Sequence, residues 1–64
     1  MFVKLKDKEG EDTWVNPDNV IRVSRSIPRQ GRVMCTLAFT SGYGAQFTGS
    51  AEDTVRVLNS GLTS

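Results

Sequence analysis

A polar break between two β-rich segments constrains the fold of this chain more strongly than any other feature. Residues 14–23 read WVNPDNVIRV, so one apolar segment ends before Asn16 and another begins at Val20. Pro17 fixes its own φ, moves the preceding residue toward extended geometry and donates no backbone hydrogen bond. Asp and Asn side chains stabilise turns. The break therefore predicts a turn that orients two strands on a small scaffold, and it has no catalytic character.

Alternating apolar and polar residues predict five strands in the first three quarters of the chain. These strands are expected at residues 2–6, 13–15, 20–26, 33–40 and 43–48. The charged residues 7–12 predict a hairpin loop, residues 26–32 a second loop, and residues 41–42 a tight turn, because each contains glycine or proline.

The pattern becomes helical after residue 49. Ser50 is a good N-cap residue, and Gly61 suits a C-terminal stop. Four apolar residues share one helical stripe that can pack on the sheet: Ala51, Val55, Leu58 and Leu62. Thr63 and Ser64 are expected to fray beyond the helix.

The strand at residues 33–40 has the clearest period of two, which is typical of a half-buried antiparallel strand. Its core face is expected to hold Val33, Cys35, Leu37 and Phe39, and its other face Met34, Thr36, Ala38 and Thr40. In the third strand, Ile21 and Val23 alternate with Arg22 and Ser24. The sequence thus predicts an α+β fold: a small antiparallel β-meander of about five strands with one C-terminal helix, in a single domain over residues 1–64.

A chain of 64 residues buries only about 60% of the surface that it exposes when unfolded. Cys35 is the single cysteine and histidine is lacking, so neither an internal disulfide nor a zinc site is expected. Because oligomerisation is the remaining support for a small core, we expect a homo-oligomer, most simply a dimer. The chain has no apolar run near the roughly 20 residues of a membrane span and no signal-peptide core, so a cytoplasmic protein of bacterial or phage origin is expected.

The residues that enzymes use are scarce. No histidine can activate Cys35 or a serine, so Cys35 is expected to be a small buried side chain. The acidic residues of the 7–12 loop are interpreted as solvated charge. Ser41, Ser50 and Thr54 are interpreted as turn, capping or helix-surface residues. Because the glycines at 42, 44 and 49 flank a hairpin, they do not form a phosphate-binding loop. We expect no enzymatic activity, no cofactor and no metal site.

The clearest candidate for ligand binding is a group of arginines within 11 residues. Arg22, Arg25, Arg29 and Arg32 have no acidic residue between them. On a strand and the loop after it they could form a positive stripe, and arginine suits phosphate recognition. Tyr43 and Trp14 could supply stacking surfaces, although such aromatic residues are more often core. A solvated strand face remains the alternative interpretation of the arginines.

The order of these segments resembles a known family. The sequences TWVNPDNVIRV, CTLAFTSG and SAEDTVRVLN are similar to those of FlbD/SwrD-like flagellar and swarming motility proteins, which are small and cytoplasmic. The resemblance covers residues 2–59 and implies a regulatory role in motility. The chain departs from this family in its longer 26–32 loop and in Gly44 and Ala45 of the last strand. Residues 16–18 also resemble a segment of LytTR-type DNA-binding domains.

Three functions follow from these observations. The first is a non-enzymatic, homo-oligomeric adaptor or regulator that acts through protein contacts, with Phe2, Met34 and Ala38 buried between copies. The second is a nucleic-acid-binding module that uses the arginine stripe. The third is a phage-encoded inhibitor or sponge that binds a nucleotide-like anion at a subunit interface through Arg22, Arg25, Arg29, Arg32 and Tyr43.

Overall fold

The computed structural model describes residues 1–62, except for the side chain of Leu62, and it confirms the predicted fold class. Five antiparallel strands form one sheet, and a single helix follows them. The elements in chain order are β1 (Val3–Asp7), β2 (Asp12–Val15), a 3-10 turn (Pro17–Asn19), β3 (Val20–Arg29), β4 (Arg32–Phe39), β5 (Gly44–Thr48) and α1 (Ala51–Leu62). The predicted fraying of Thr63 and Ser64 lies outside the described residues.

The strand order, β2-β1-β5-β4-β3, joins a hairpin to a three-stranded meander. Strands β3, β4 and β5 pair in sequence, and β1 pairs with β2, but β2 does not pair with β3, so the sheet is not one continuous meander. The two units join where β1 meets β5, through the pairs Lys6–Thr48 and Asp7–Phe47. Strands β2 and β3, although consecutive in the chain, are therefore the two edges of the sheet.

The short connection between the edge strands makes the sheet curl. Edge strands of a flat five-stranded sheet lie about 19 Å apart. Residues 16–19 contain a 3-10 turn and can span only about 13 Å. The Asn16 side chain accepts a hydrogen bond from the Asp18 amide at 3.0 Å, and the Asn19 carbonyl accepts one from the Thr40 amide at 2.8 Å. The turn is thus capped at its start and attached to the end of β4.

The core occupies the face of the curled sheet against which the helix packs. Its buried members are Val3, Leu5, Val15, Cys35, Leu37, Phe47 and Leu58. Cys35 and Leu37 are completely buried, as predicted, whereas Phe39 is only partly buried at the edge of this cluster and Val33 is exposed. Met34 was expected to face a second copy, but it is only 2% exposed within one chain. It therefore cannot contribute an apolar contact between copies.

The helix begins as predicted, because the Asp53 amide donates to Ser50 Oγ at 3.0 Å. Leu58 is buried and Ala51 partly so, which confirms two members of the apolar stripe, whereas Val55 has 40% of its surface exposed. The side chain of Leu62, the fourth predicted member, lies outside the described part of the structure. The interpretation of Thr54 as a helix-surface residue is wrong. Its side chain is buried, and its hydroxyl lies 3.4 Å from Cys35 Sγ, so hydrogen bonding satisfies a polar group against the sheet.

The predicted loop over residues 26–32 is mostly strand. β3 runs to Arg29, and only Gln30 and Gly31 form the turn, both with positive φ, of 51° and 74°. Such a pair matches the twist of the flanking strands in a two-residue hairpin. The prediction failed because Pro28 lies in an edge strand where the pairing with β4 is irregular between Ser26 and Arg29, and proline is tolerated at edges and bulges.

An irregularity in β3 also reverses one predicted orientation. The pairing with β4 shifts between Val20 and Arg22, so the period of two is interrupted at this point. Val20 and Val23 pack against the core, and Ile21 projects into solvent with 66% of its surface exposed.

Gly61 does not stop the helix, as the sequence suggested, but allows a close approach. It is buried inside α1. A Cβ atom at this position would lie 2.6 Å from Val3 Cγ1 and 2.9 Å from Pro17 Cγ. The helix can therefore press against both β1 and the 3-10 turn only because this residue has no side chain.

Gly61→Ala is expected to lower the free energy of unfolding by about 1–2 kcal/mol, because overpacking outweighs the gain of about 1 kcal/mol in helix propensity. Chemical denaturation measures this difference. Ser60→Ala, at an exposed neighbouring position, is the matched control and should leave stability unchanged or slightly raised. A more stable Gly61→Ala protein would contradict the close approach.

Candidate functional site

A groove beside the part of β5 that does not pair with β1 brings together every aromatic residue of the chain. Its volume is about 750 Å³, within the range of ligand-binding clefts. β2 contributes one side of the lining and residues 43–47 contribute the other. The chain contains three Phe, one Tyr and one Trp, and all of them line this groove: Phe2, Trp14, Phe39, Tyr43 and Phe47.

Three of these aromatic side chains are exposed to solvent. Phe2, Trp14 and Tyr43 have 66%, 61% and 67% of their surface exposed. Of the two interpretations of Trp14 and Tyr43, stacking surfaces or core residues, the exposure of their rings contradicts the second. β2 is too short to bury both of its faces, and Trp14 alternates with the buried Val15. Aromatic residues enriched on one surface are typical of binding sites.

The remaining two rings connect the rim of the groove to the core. Phe39 stacks with Tyr43, with ring centroids 6.2 Å apart and an angle of 22° between the ring planes. Phe39 also meets the buried Phe47 edge to face, with centroids 6.5 Å apart. The tight turn at Gly42 creates this arrangement, because the Phe39 amide donates to the Tyr43 carbonyl at 2.8 Å. The exposed Tyr43 ring is thus supported by a packed row of aromatic residues.

Backbone edges also line the groove. β1 pairs with β5 only through Thr48 and Phe47, so in the described chain residues 44–46 have a strand partner on the β4 side alone. β2 pairs only with β1. Two strand segments with one unpaired edge each therefore lie beside the exposed aromatic rings. An extended chain in the groove could form backbone hydrogen bonds with such an edge.

The β1–β2 loop closes one end of the groove, and its shape depends on Asp7. Asp7 Oδ1 accepts hydrogen bonds from the amides of Glu9 and Glu11, both at 2.9 Å. The Asp7 carbonyl accepts from the Gly10 amide at 2.9 Å and from Thr48 Oγ1 at 2.7 Å. The sequence analysis interpreted this carboxylate as solvated charge, but it organises the loop, while the backbone carbonyl of the same residue connects the loop to β5.

The predicted arginine stripe does not form a single site. Arg25 points to the helix and pairs with Glu52, whereas Arg29 Nη1 donates to Gln46 Oε1 at 3.1 Å on the opposite face. Arg29 and Arg32 face each other at the β3–β4 turn. Arg22 lies further along β3, opposite Ala38. Tyr43 follows the far end of β4, so it lies away from Arg29 and Arg32.

Ion pairs join the elements on the surface. The hydrogen bond and the charge of Asp12 raise the pKa of Lys6, and the hydrogen bond from Lys6 lowers the pKa of Asp12. The hydrogen bond from Arg25 likewise lowers the pKa of the Glu52 carboxyl. This second pair links β3 to the first turn of α1, although exposed pairs of this kind contribute little to stability.

Within residues 1–62, no group of three His, Cys, Asp or Glu side chains is placed to hold a metal ion. No helix of the described chain is long and apolar enough to cross a membrane. The single thiol, Cys35, is completely buried beneath α1.

Comparison with known proteins gives no assignment: the chain matches no family model, no curated protein and no solved structure. The candidate site therefore rests on the geometry of the groove. The sequence signal that could have located it is the spacing of the aromatic residues, since Phe2, Trp14 and Tyr43 each lie beside a predicted turn or strand end.

Acidification tests the Arg25–Glu52 pair. The hydrogen bond from Arg25 makes the pKa of Glu52 lower in the folded chain than in the unfolded chain, where it is about 4.5. The ion pair therefore stabilises the fold above pH 4.5, and this stabilisation is lost as the pH falls through the pKa of the folded chain. The free energy of unfolding should therefore decrease below pH 4.5. Glu52→Gln should show a smaller decrease, and Glu9→Gln, on an unpaired loop carboxylate, is the matched control. Equal pH profiles for Glu52→Gln and the wild type would contradict the pair.

Proposed function

We propose that this chain is a non-enzymatic adaptor that binds an extended segment of a partner protein in the aromatic groove. The observation that carries the proposal is the convergence of all five aromatic residues on one groove, three of them with more than half of their surface exposed. Burying such side chains is the main source of stability for a domain this small, so leaving them exposed has a cost in folding. Binding a partner would bury these exposed aromatic side chains.

The charges of the groove support a protein partner rather than nucleic acid. The charged residues in its lining are Asp7, Lys8 and Glu9, which together carry a net charge of −1. Nucleic-acid affinity depends on several cationic contacts to phosphates, and bases would have to stack here without them. Aromatic anchors with a mixed polar rim are typical of protein–protein sites.

The unpaired edges of β2 and of residues 44–46 favour an extended partner. A peptide that adds to a sheet edge gains main-chain hydrogen bonds, and alternate side chains provide specificity. In this groove, alternate side chains of such a peptide would reach the exposed rings of Trp14 and Tyr43 from one side. The partner segment we propose is therefore a strand with apolar residues at every second position.

Self-association is a second part of the proposal. β3 is a ten-residue edge strand, and it exposes Ile21 and Ile27, the latter with 82% of its surface accessible. A long edge strand with exposed isoleucines favours pairing between copies, while Pro28 and the neighbouring arginines limit the length of that pairing. A motility context, implied by the FlbD/SwrD-like resemblance, would suit such an adaptor.

Peptide selection tests the groove. A displayed library of random dodecapeptides is selected on the wild-type protein, and the affinity of the selected peptides is measured by fluorescence anisotropy. Trp14→Ala and Tyr43→Ala should each weaken binding by about tenfold or more, because truncating an aromatic anchor costs at least 1–2 kcal/mol.

Val33→Ala, which also truncates an exposed apolar residue but lies outside the groove lining, is the matched control and should bind normally. Thermal stability of all three variants should change little, since surface substitutions usually stay within about 0.5 kcal/mol. Failure to select any peptide, or selected peptides that bind both groove variants normally, would refute the proposed site.

Light scattering tests self-association. The expected mass at micromolar concentration is twice the 7.0 kDa of one chain. Ile27→Lys should shift the population to monomers by placing a charge on the free edge, whereas Lys4→Ala, on an internal strand, should not. A wild-type monomer that unfolds cooperatively would contradict this part of the proposal and leave the groove unaffected.

A further inference from the structure

Three cationic side chains gather at the end of the sheet beside the groove. The two-residue turn at Gln30 and Gly31 places Arg29 and Arg32 directly opposite each other on one face. Lys8 from the β1–β2 loop lines the same small cleft, of about 180 Å³. We call Lys8, Arg29 and Arg32 the cationic cluster.

The cationic cluster lacks a carboxylate partner in the described chain. The three salt bridges among residues 1–62 involve other cations, and none reaches Lys8, Arg29 or Arg32 within 4.0 Å. Like charges directly opposite in a sheet are destabilising. Glu9 lines the cleft but forms no ion pair there, so the cleft has a net charge of +2 from its side chains. An anion from outside the chain would relieve this repulsion.

Neighbouring residues on β5 and in the β1–β2 loop lie against the two arginines. Arg29 is oriented by Gln46 Oε1, and Arg32 lies against Gly10, where a Cβ atom would come within 3.0 Å of its Nη1. A side chain at Gly10, whose φ is 84°, would displace this guanidinium. Two oriented guanidinium groups match the planar geometry of a carboxylate.

The cationic cluster is continuous with the aromatic groove. Lys8 and Glu9 line both the cleft and the groove, and Gln46, which orients Arg29, lies in the groove lining. A segment that occupies the groove along β5 would therefore reach the cluster at the loop end.

We propose that the partner segment carries an acidic residue that docks on the cationic cluster while its apolar residues fill the aromatic groove. This inference rests on the proposed function and specifies the chemistry of the partner: an extended acidic and apolar peptide. A single carboxylate suits the cluster better than nucleic acid, because Asp7 and Glu9 would repel successive phosphates that continued from the cluster into the groove.

The test uses the dodecapeptides selected on the wild-type protein. They should contain Asp or Glu at one side of their apolar residues, and replacing that residue by Asn or Gln should weaken binding about tenfold, the scale of a charge-assisted hydrogen bond. The double variant Arg29→Glu/Arg32→Glu should lose at least this factor with the acidic peptide, because the two new carboxylates also repel the acidic residue. The amide peptide should bind the double variant almost as tightly as it binds the wild type, because the peptide change and the arginine changes remove the same interaction.

Two further variants test whether a loss of affinity comes from the charges of the cationic cluster or from a change in the net charge or folding of the protein. Arg22→Glu reverses the charge of an exposed arginine that lies on the same strand as Arg29 but outside both the groove and the cleft. At 150 mM salt, charges are screened over about 8 Å, so this variant should change the affinity for the peptide by less than about twofold. Arg29→Gln/Arg32→Gln removes the charges without adding new ones and should reproduce the loss if the reversal variant is unstable. Circular dichroism monitors folding of each variant.

The outcomes distinguish the two proposals. Selected peptides that depend on Trp14 and Tyr43 but lack a required acidic residue would overturn the acidic partner and leave the groove as a binding site. Peptides that bind independently of the groove would overturn both. Tighter binding of a single-stranded oligonucleotide than of any peptide, lost in the double variant, would overturn the acidic peptide in favour of nucleic acid.

Discussion

The short 3-10 connection between the two edge strands is the constraint on which the rest of the structure depends. Because residues 16–19 cannot span a flat five-stranded sheet, the sheet has to curl. Curling creates a concave face that α1 covers with a single apolar stripe. Pro17 shapes the turn, and its ring also packs closely against Gly61 of the helix. An insertion that lengthened this connection would therefore affect both the sheet and the position of the helix.

The groove is a direct result of the incomplete pairing between the hairpin and the meander. Only two residue pairs join β1 to β5, so the two units separate beyond Asp7 and Phe47. Packing alone does not close the gap, because the aromatic residues along it are supported from one side only. The same loop that ends the gap also borders the cationic cluster, which places apolar and charged surfaces within reach of one short peptide.

Sequence reasoning recovered the regular elements and missed the details that position side chains. The strands, the Ser50 cap and the buried Cys35 follow from local periodicity and capping chemistry. Ile21 and Pro28 were misplaced because a bulge and a free edge relax the rules of strand pairing. The separation of Arg25 from Arg29, and the convergence of Phe2, Trp14 and Tyr43, depend on strand order, which spacing along the chain does not encode. Gly61 was misread because its close contacts come from distant residues.

The helix packs mainly against β1, β3, β4 and the 3-10 turn, whereas β2 and β5 provide most of the groove. The exposed rings of Phe2, Trp14 and Tyr43 line the groove without belonging to the core, whereas four lining residues belong to both the groove and the core: Val15, Phe39, Ala45 and Phe47. Mutations at the three exposed positions can accumulate without unfolding the domain, while positions such as Val3 and Gly61 tolerate little change. A scaffold with such positions can acquire a new partner through a few surface substitutions, so related chains would be expected to diverge fastest at the exposed positions of the groove.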